Sequence, residues 1–124
     1  MATKVKKQTA EKVIPRNSIP GKIGHTFIVD DEELDLEDYE VTVTIKKPDG
    51  TIKEKRPAIV LEDSPYRAEY TIREDDFSKA SDGTDHTLIQ FVAELTEEGE
   101  VVERYISDQR EIKIADSPAS QAYD

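Results

Sequence analysis

From Tyr39 to Gly50 the chain reads YEVTVTIKKPDG, with Tyr39, Val41, Val43 and Ile45 alternating against Glu40, Thr42, Thr44 and Lys46. A strict period of two is the mark of a β-strand with one face buried, and the Asp49-Gly50 pair that follows supplies the positive φ angles of a tight hairpin. The pattern returns at Tyr66 to Arg73, where Tyr66, Ala68, Tyr70 and Ile72 share a face. It returns again at His86 to Thr96, with Ile89, Phe91, Ala93 and Leu95 on one side and Leu88 and Val92 on the other. That last segment predicts a central strand covered on both sides.

Shorter runs fill the intervals. HTFIVD, residues 25 to 30, predicts a first strand. Leu34 and Leu36 in the acidic link after it are expected to tuck under the end of the core. Thr51 to Lys55 is too charged to be central and predicts an edge, and Ile59 to Leu61 is a brief apolar run before the break at Asp63-Ser64-Pro65. Phe77 is the one large apolar group in residues 74 to 85 and is expected to plug an end of the core. Val101 to Ser107 returns from a turn at Gly99, and Glu111 to Ala115, with Ile112 and Ile114 inward, closes the series. About seven short strands, turn signals at close spacing and no convincing helix predict an all-β, antiparallel sandwich of the immunoglobulin-like class.

Composition narrows the chemistry. The 124 residues suit one domain, and with no cysteine the fold owes nothing to disulfides and has no thiolate nucleophile or ligand. No apolar run approaches the length needed to cross a bilayer and the N-terminus lacks a secretory pattern, so a soluble chain made in the cytoplasm is expected. The net charge of −11 opposes nucleic acid and anionic membrane as partners.

The charge is unevenly distributed. Residues 1 to 24 hold Lys4, Lys6, Lys7, Lys12, Arg16 and Lys22 against Glu11, a net +5, which leaves eleven basic residues against 27 acidic ones, a net −16, on the rest. With Pro15, Pro20, Gly21 and Gly24 and no clean period, residues 1–24 read as a basic arm, ahead of a sandwich at 25–115 and a loose tail at 116–124. Such an arm suits docking to an acidic neighbour, its cations making salt-sensitive contacts and Ile14 and Ile19 supplying the packed part of the interface. A frayed terminus or a first edge strand is the alternative reading of the same residues.

Catalytic patterns are sparse. His25 and His86 each open a strand and read as solvent-facing or turn residues, with no nucleophile and orienting partner in evidence around either. Tyr39, Tyr66 and Tyr70 read as inward-facing, which disfavours a carbohydrate-reading surface. The acidic segments 30–38 and 75–85 carry the oxygen ligands calcium prefers, but neither has the spaced Asp-x-Asp-x-Asp-Gly arrangement, so neither a metal nor a cofactor is assigned.

The succession FIVDDEELDLEDYEVTVTIKKPDG, PYRAEYTIREDDFS, LIQFVAELTEEGEVVE and REIKI resembles the immunoglobulin-like N-terminal domain of phage baseplate upper proteins. LDLEDY and KKPDG are its most distinctive pieces, and the likeness spans about residues 25 to 115. The resemblance implies a non-enzymatic structural protein of a tailed phage virion, resident in a baseplate, tail or capsid and bound in many copies to other virion proteins or to itself. A recognition module for host-surface carbohydrate or protein is the alternative. The chain departs from the family in ending soon after the last strand and in carrying SDGTDHT where a simple hairpin is expected.

Overall fold

The computed structural model describes residues 10–15 and 19–115, with side chains from residue 13. Twelve strand segments and one 3-10 turn make up the regular structure of this part, with no α-helix among the described residues. In chain order the strands are β1 (Ala10–Pro15), β2 (Gly21–His25), β3 (Ile28–Val29), β4 (Glu32–Glu33), β5 (Glu40–Lys46) and β6 (Ile52–Pro57). The remainder are β7 (Ile59–Val60), β8 (Ala68–Ile72), β9 (Ser78–Lys79), β10 (Asp85–Glu97), β11 (Glu100–Ile106) and β12 (Arg110–Ala115).

Seven of the strands form one sheet, ordered β1-β12-β10-β5-β6, with β9 and β11 also paired to β10. A second sheet is β2-β8-β7, and β3 and β4 make a small separate hairpin. The alternating residues explain how the two large sheets meet. Val41, Val43 and Ile45 from β5, Ile89, Phe91 and Ala93 from β10, and Ile112 and Ile114 from β12 are all buried on one face. Ile23, Ala68, Tyr70 and Ile72 are buried from the second sheet, and all belong to one hydrophobic cluster. Leu36 and Phe77, each outside a strand, are buried in the same cluster. The chain is therefore all-β with sheets enclosing one core, as a β-sandwich requires.

β10 organises the larger sheet. Its first half pairs with β12, from Asp85↔Ile114 to Ile89↔Arg110, and its second half pairs on through β11, from Val92↔Ile106 to Glu97↔Glu100. In the gap between β11 and β12, Ser107 N–H donates to Phe91 O at 2.9 Å, and Ser107 Oγ accepts from Phe91 N–H at 2.9 Å. β11 and β12 thus form one interrupted strand along the same side of β10. Glu98 and Gly99 connect β10 to β11 with φ of 52° and 83°, the pair of positive values a two-residue hairpin turn requires.

Four features correct the sequence reading. The boundary at residue 24 falls inside the fold, because β1 runs parallel to β12 with Ile14 opposite Ile114, and β2 pairs with β8 with Ile23 opposite Tyr70. Each of these strands buries only one large aliphatic group among lysine, glycine and proline, so neither presents a period. The expected strand at 25–30 is instead the end of β2 followed by the β3–β4 hairpin, whose turn at Asp30 and Asp31 has φ of 53° and 67°. Tyr66 is exposed rather than inward, because Arg67 N–H donates to Ser64 O at 3.0 Å and the chain is still turning there. Neither histidine is solvent-facing, as described below. The tail at 116–124 lies outside the described residues.

Candidate partner-binding face

The face of the seven-stranded sheet turned away from the core is built from the polar half of each alternation. β5 presents Glu40, Thr42 and Thr44, and β10 presents Leu88, Gln90, Val92 and Glu94. β11 adds Arg104 opposite Glu94 and Ile106 opposite Val92. β6 lies along β5 with a register shift between Val43 and Ile45, and Lys55 in that irregularity has φ of 57°. The bulge turns Glu54 and Lys55 over the same face. Apart from Leu88 and Gln90, these residues line an open groove of about 230 Å³ in which the apolar Val92 and Ile106 stand among the charged Glu40, Glu54, Lys55, Glu94 and Arg104. Arg104 is held there by Glu94, with Nη2 to Oε2 at 2.6 Å and Nε donating at 2.7 Å.

Beyond the groove, β11 exposes Val101 and Val102 to solvent. Among the described residues it pairs with β10 alone. Tyr39 braces the base of this projection, its hydroxyl donating to Glu103 and its ring 6.2 Å from that of Tyr105. The hydrogen bond to the Glu103 carboxylate raises the Tyr39 pKa above its ordinary value.

The residues expected to dock a partner are described only in part. Lys4, Lys6, Lys7 and Arg16 lie outside the described residues, and of Lys12 only the backbone is described, paired with Ile112 in β1. Lys22 is exposed on β2. Ile14 is 8% exposed and belongs to the protein's own core, and Ile19 is half-buried against that core. Outer-face groups of β5, β6, β10 and β11 line the groove described above. Alternation signalled Thr42, Thr44 and Val92, but the placement of Glu54 and Lys55 depends on a bulge that no local motif announces.

His25 sits between the sheets. Its ring stacks on Phe91 at 5.5 Å and meets Phe27 edge-on at 4.5 Å. Arg110 Nη2 donates to His25 Nδ1 at 2.9 Å, and Nη1 donates to Gly24 O at 2.8 Å. Burial, followed by repulsion from Arg110, lowers the imidazole pKa from 6.5 to about 4, Asp108 opposing the shift and Arg67 adding to it. His25 is consequently neutral at ordinary pH, with its proton on Nε2.

At the other end of β10, His86 Nδ1 lies 2.8 Å from Glu111 Oε2 and Nε2 lies 2.6 Å from Thr84 Oγ1. Hydroxyl, imidazole and carboxylate stand in the order of a nucleophile, base and orienting group. However, the Thr84 hydroxyl also donates to Asp82 Oδ1 at 2.6 Å, and the backbone N–H groups of Gly83 and Thr84 are committed to Ala80 O and Asp82 Oδ1. The chain of bonds ties the 80–84 turn to β10 and β12.

A third polar cluster centres on a fully buried carboxylate. Asp76 is 0% exposed and accepts from Tyr70 Oη at 2.8 Å, Arg73 N–H at 3.0 Å and Lys53 Nζ at 3.2 Å. Burial, and then the bond to Asp76, pushes the Tyr70 phenol up to about 12. Among the described residues, no three histidine or acidic side chains converge to hold a metal ion, and no helix is long and apolar enough to cross a membrane. No protein-family model and no curated protein matches the chain.

Proposed function

We propose that the chain is an immunoglobulin-like assembly module of a tailed phage virion, a non-enzymatic structural protein docked in many copies to neighbouring subunits of a baseplate, tail or capsid. The observation that carries the reading is the strand order. An immunoglobulin sandwich sets its second, fifth and fourth strands in one sheet against its third, sixth and seventh in the other. Here β2, β8 and β7 stand opposite β5, β10 and the interrupted β11–β12 strand, with β6 added beside β5 in the manner of the variable-type sheet. This order agrees with the sequence likeness carried by LDLEDY and KKPDG.

The outer face supports a docking role in place of Ile14 and Ile19. It combines the apolar Val92 and Ile106 with charged groups, the composition of an interface that assembles from soluble parts. The cations of the N-terminal segment, Lys4, Lys6 and Lys7, and Arg16 beyond β1, supply the salt-sensitive contacts. Immunogold labelling of purified virions tests the assignment. Label over the head identifies a capsid accessory protein, label at the tail tip identifies a baseplate protein, and absence of label from virions refutes the reading.

A further inference from the structure

The two large sheets cannot be joined by the disulfide that links them in antibody domains, because the chain has no cysteine. A lysine and an aspartate meet between them instead. Lys53 stands opposite Ile45 on β6, with 19% of its side chain exposed, and Asp76 closes the 3-10 turn Glu74–Asp76 after β8, with none exposed. Lys53 Nζ lies 3.2 Å from Asp76 Oδ1. The two oxygens of this carboxyl have different neighbours. Oδ1 faces the amine, while Oδ2 accepts from Tyr70 Oη at 2.8 Å and from Arg73 N–H at 3.0 Å. Two fixed donors on one oxygen are the arrangement that stabilises an oxyanion at the adjoining carbon. The Arg56 side chain hydrogen-bonds the same phenol and strengthens it as a donor. Asp75 aims the amine: its backbone carbonyl accepts from Lys53 Nζ at 2.8 Å, and its carboxylate Oδ2 lies 3.5 Å away, with 72% of that side chain exposed.

We propose that Lys53 and Asp76 condense to an amide bond that fastens β6 to the turn after β8. A proton first crosses from Nζ to Oδ1 along their contact, leaving a neutral amine and a carboxylic acid. The amine lone pair attacks Cγ, and the carbonyl electron pair moves onto Oδ2, between Tyr70 Oη and Arg73 N–H. The Asp75 carboxylate then takes a second proton from Nζ and delivers it to the Oδ1 hydroxyl, which leaves as water while the carbonyl re-forms. One C–N bond forms, one C–O bond breaks and Nζ keeps one hydrogen; nothing is oxidised or reduced and no co-reactant is consumed. The amide oxygen retains both of its donors. Condensation also removes two charges that are costly to hold away from water, which favours the neutral product inside the fold.

Intact mass spectrometry of the purified full chain, denatured before measurement, tests the bond. The parent should weigh one water less than its sequence requires. A protease digest should yield a branched peptide in which the segment holding Lys53 is joined to the segment holding Asp76. Lys53→Arg keeps the positive charge but not the amine, and should restore the full mass and two separate peptides. Asp75→Asn, at an exposed position, should leave the fold intact and slow formation of the bond by about a hundredfold or more, as expected when a general base is lost. Mass readings at intervals after synthesis give that rate.

A parent chain of full sequence mass, with Lys53 and Asp76 recovered in separate peptides, overturns the proposal and leaves the two groups an ion pair. Loss of water that persists in Lys53→Arg, as from cyclisation at Asp49-Gly50 or Asp82-Gly83, overturns it as well. Bond formation at the parent's rate in Asp75→Asn refutes the proton path through that carboxylate. The parent chain alone decides whether the bond exists, so the outcome stands even where Lys53→Arg fails to fold.

Discussion

Replacing His25 with phenylalanine should remove a pH dependence of stability between about pH 6.5 and 4. In the folded chain the imidazole is enclosed by Phe27 and Phe91 and faces Arg110, and its pKa falls from 6.5 to about 4, chiefly through burial. Below pH 6.5 the unfolded chain binds a proton that the folded chain refuses. Stability is thus fully present above 6.5, declines as pH falls through the window, and stops changing on this account below about 4. Each tenfold difference in proton affinity corresponds to about 1.4 kcal/mol, so the contribution is about 3 kcal/mol as an upper figure, lessened by water at the ring edge. Against the 5–15 kcal/mol typical of a domain, that is readily measured. Urea unfolding of the parent chain and His25→Phe across the window gives two stability curves, and their difference isolates this group from the carboxylates common to both. The phenylalanine also loses the acceptor for Arg110 Nη2, which shifts its curve by an amount independent of pH. Two curves that run parallel from pH 7 to 4 would refute the reasoning, as would an imidazole titrating near 6.5 by NMR.

Four further outcomes follow from the packing and the backbone. Asp76→Ala strips the carboxylate from Tyr70, Arg73 and Lys53 inside the fold and should cost about 3–5 kcal/mol, read as a fall in the denaturant midpoint. Ile14→Ala should cost about 2–4 kcal/mol by the same measurement, and removal of residues 1–24, which takes β1 and most of β2, should unfold the chain; a truncated chain with unchanged circular dichroism and a cooperative melt would show that β1 is dispensable. Glu98→Gly relieves a left-handed backbone at φ 52° and should raise the melting temperature, by about 1 kcal/mol in stability, unless flexibility gained by the unfolded chain cancels it.

The strands legible from sequence are those in which two or three aliphatic groups alternate without interruption. Val41-Val43-Ile45, Ile89-Phe91-Ala93 and Ile112-Ile114 could be placed because each pair of neighbours specifies the same face. β1 and β2 offered one inward aliphatic residue apiece, Ile14 and Ile23, and the surrounding lysines gave the segment the look of an unattached arm. His25 continues the inward face of Ile23, two residues earlier, so position pointed inside while residue type pointed outside. The pairing of His86 with Glu111 was hidden for another reason: the two lie 25 positions apart and meet only through the register of β10 and β12. The groove shares that difficulty, since it draws on four strands and a bulge.

The parallel alignment of β1 and β12 has a mechanical consequence. Tension entering the fold ahead of Ala10 and leaving it beyond Ala115 pulls the two strands past each other along their length, because these residues lie at opposite ends of the pair. All of the slanted ladder bonds then bear the load together, whereas a pull on Ala10 and Arg110, at the same end, opens them one after another. Force spectroscopy with handles at these two pairs of positions should record the higher rupture force for the first, making the chain a link that resists stretching along the line joining its two ends.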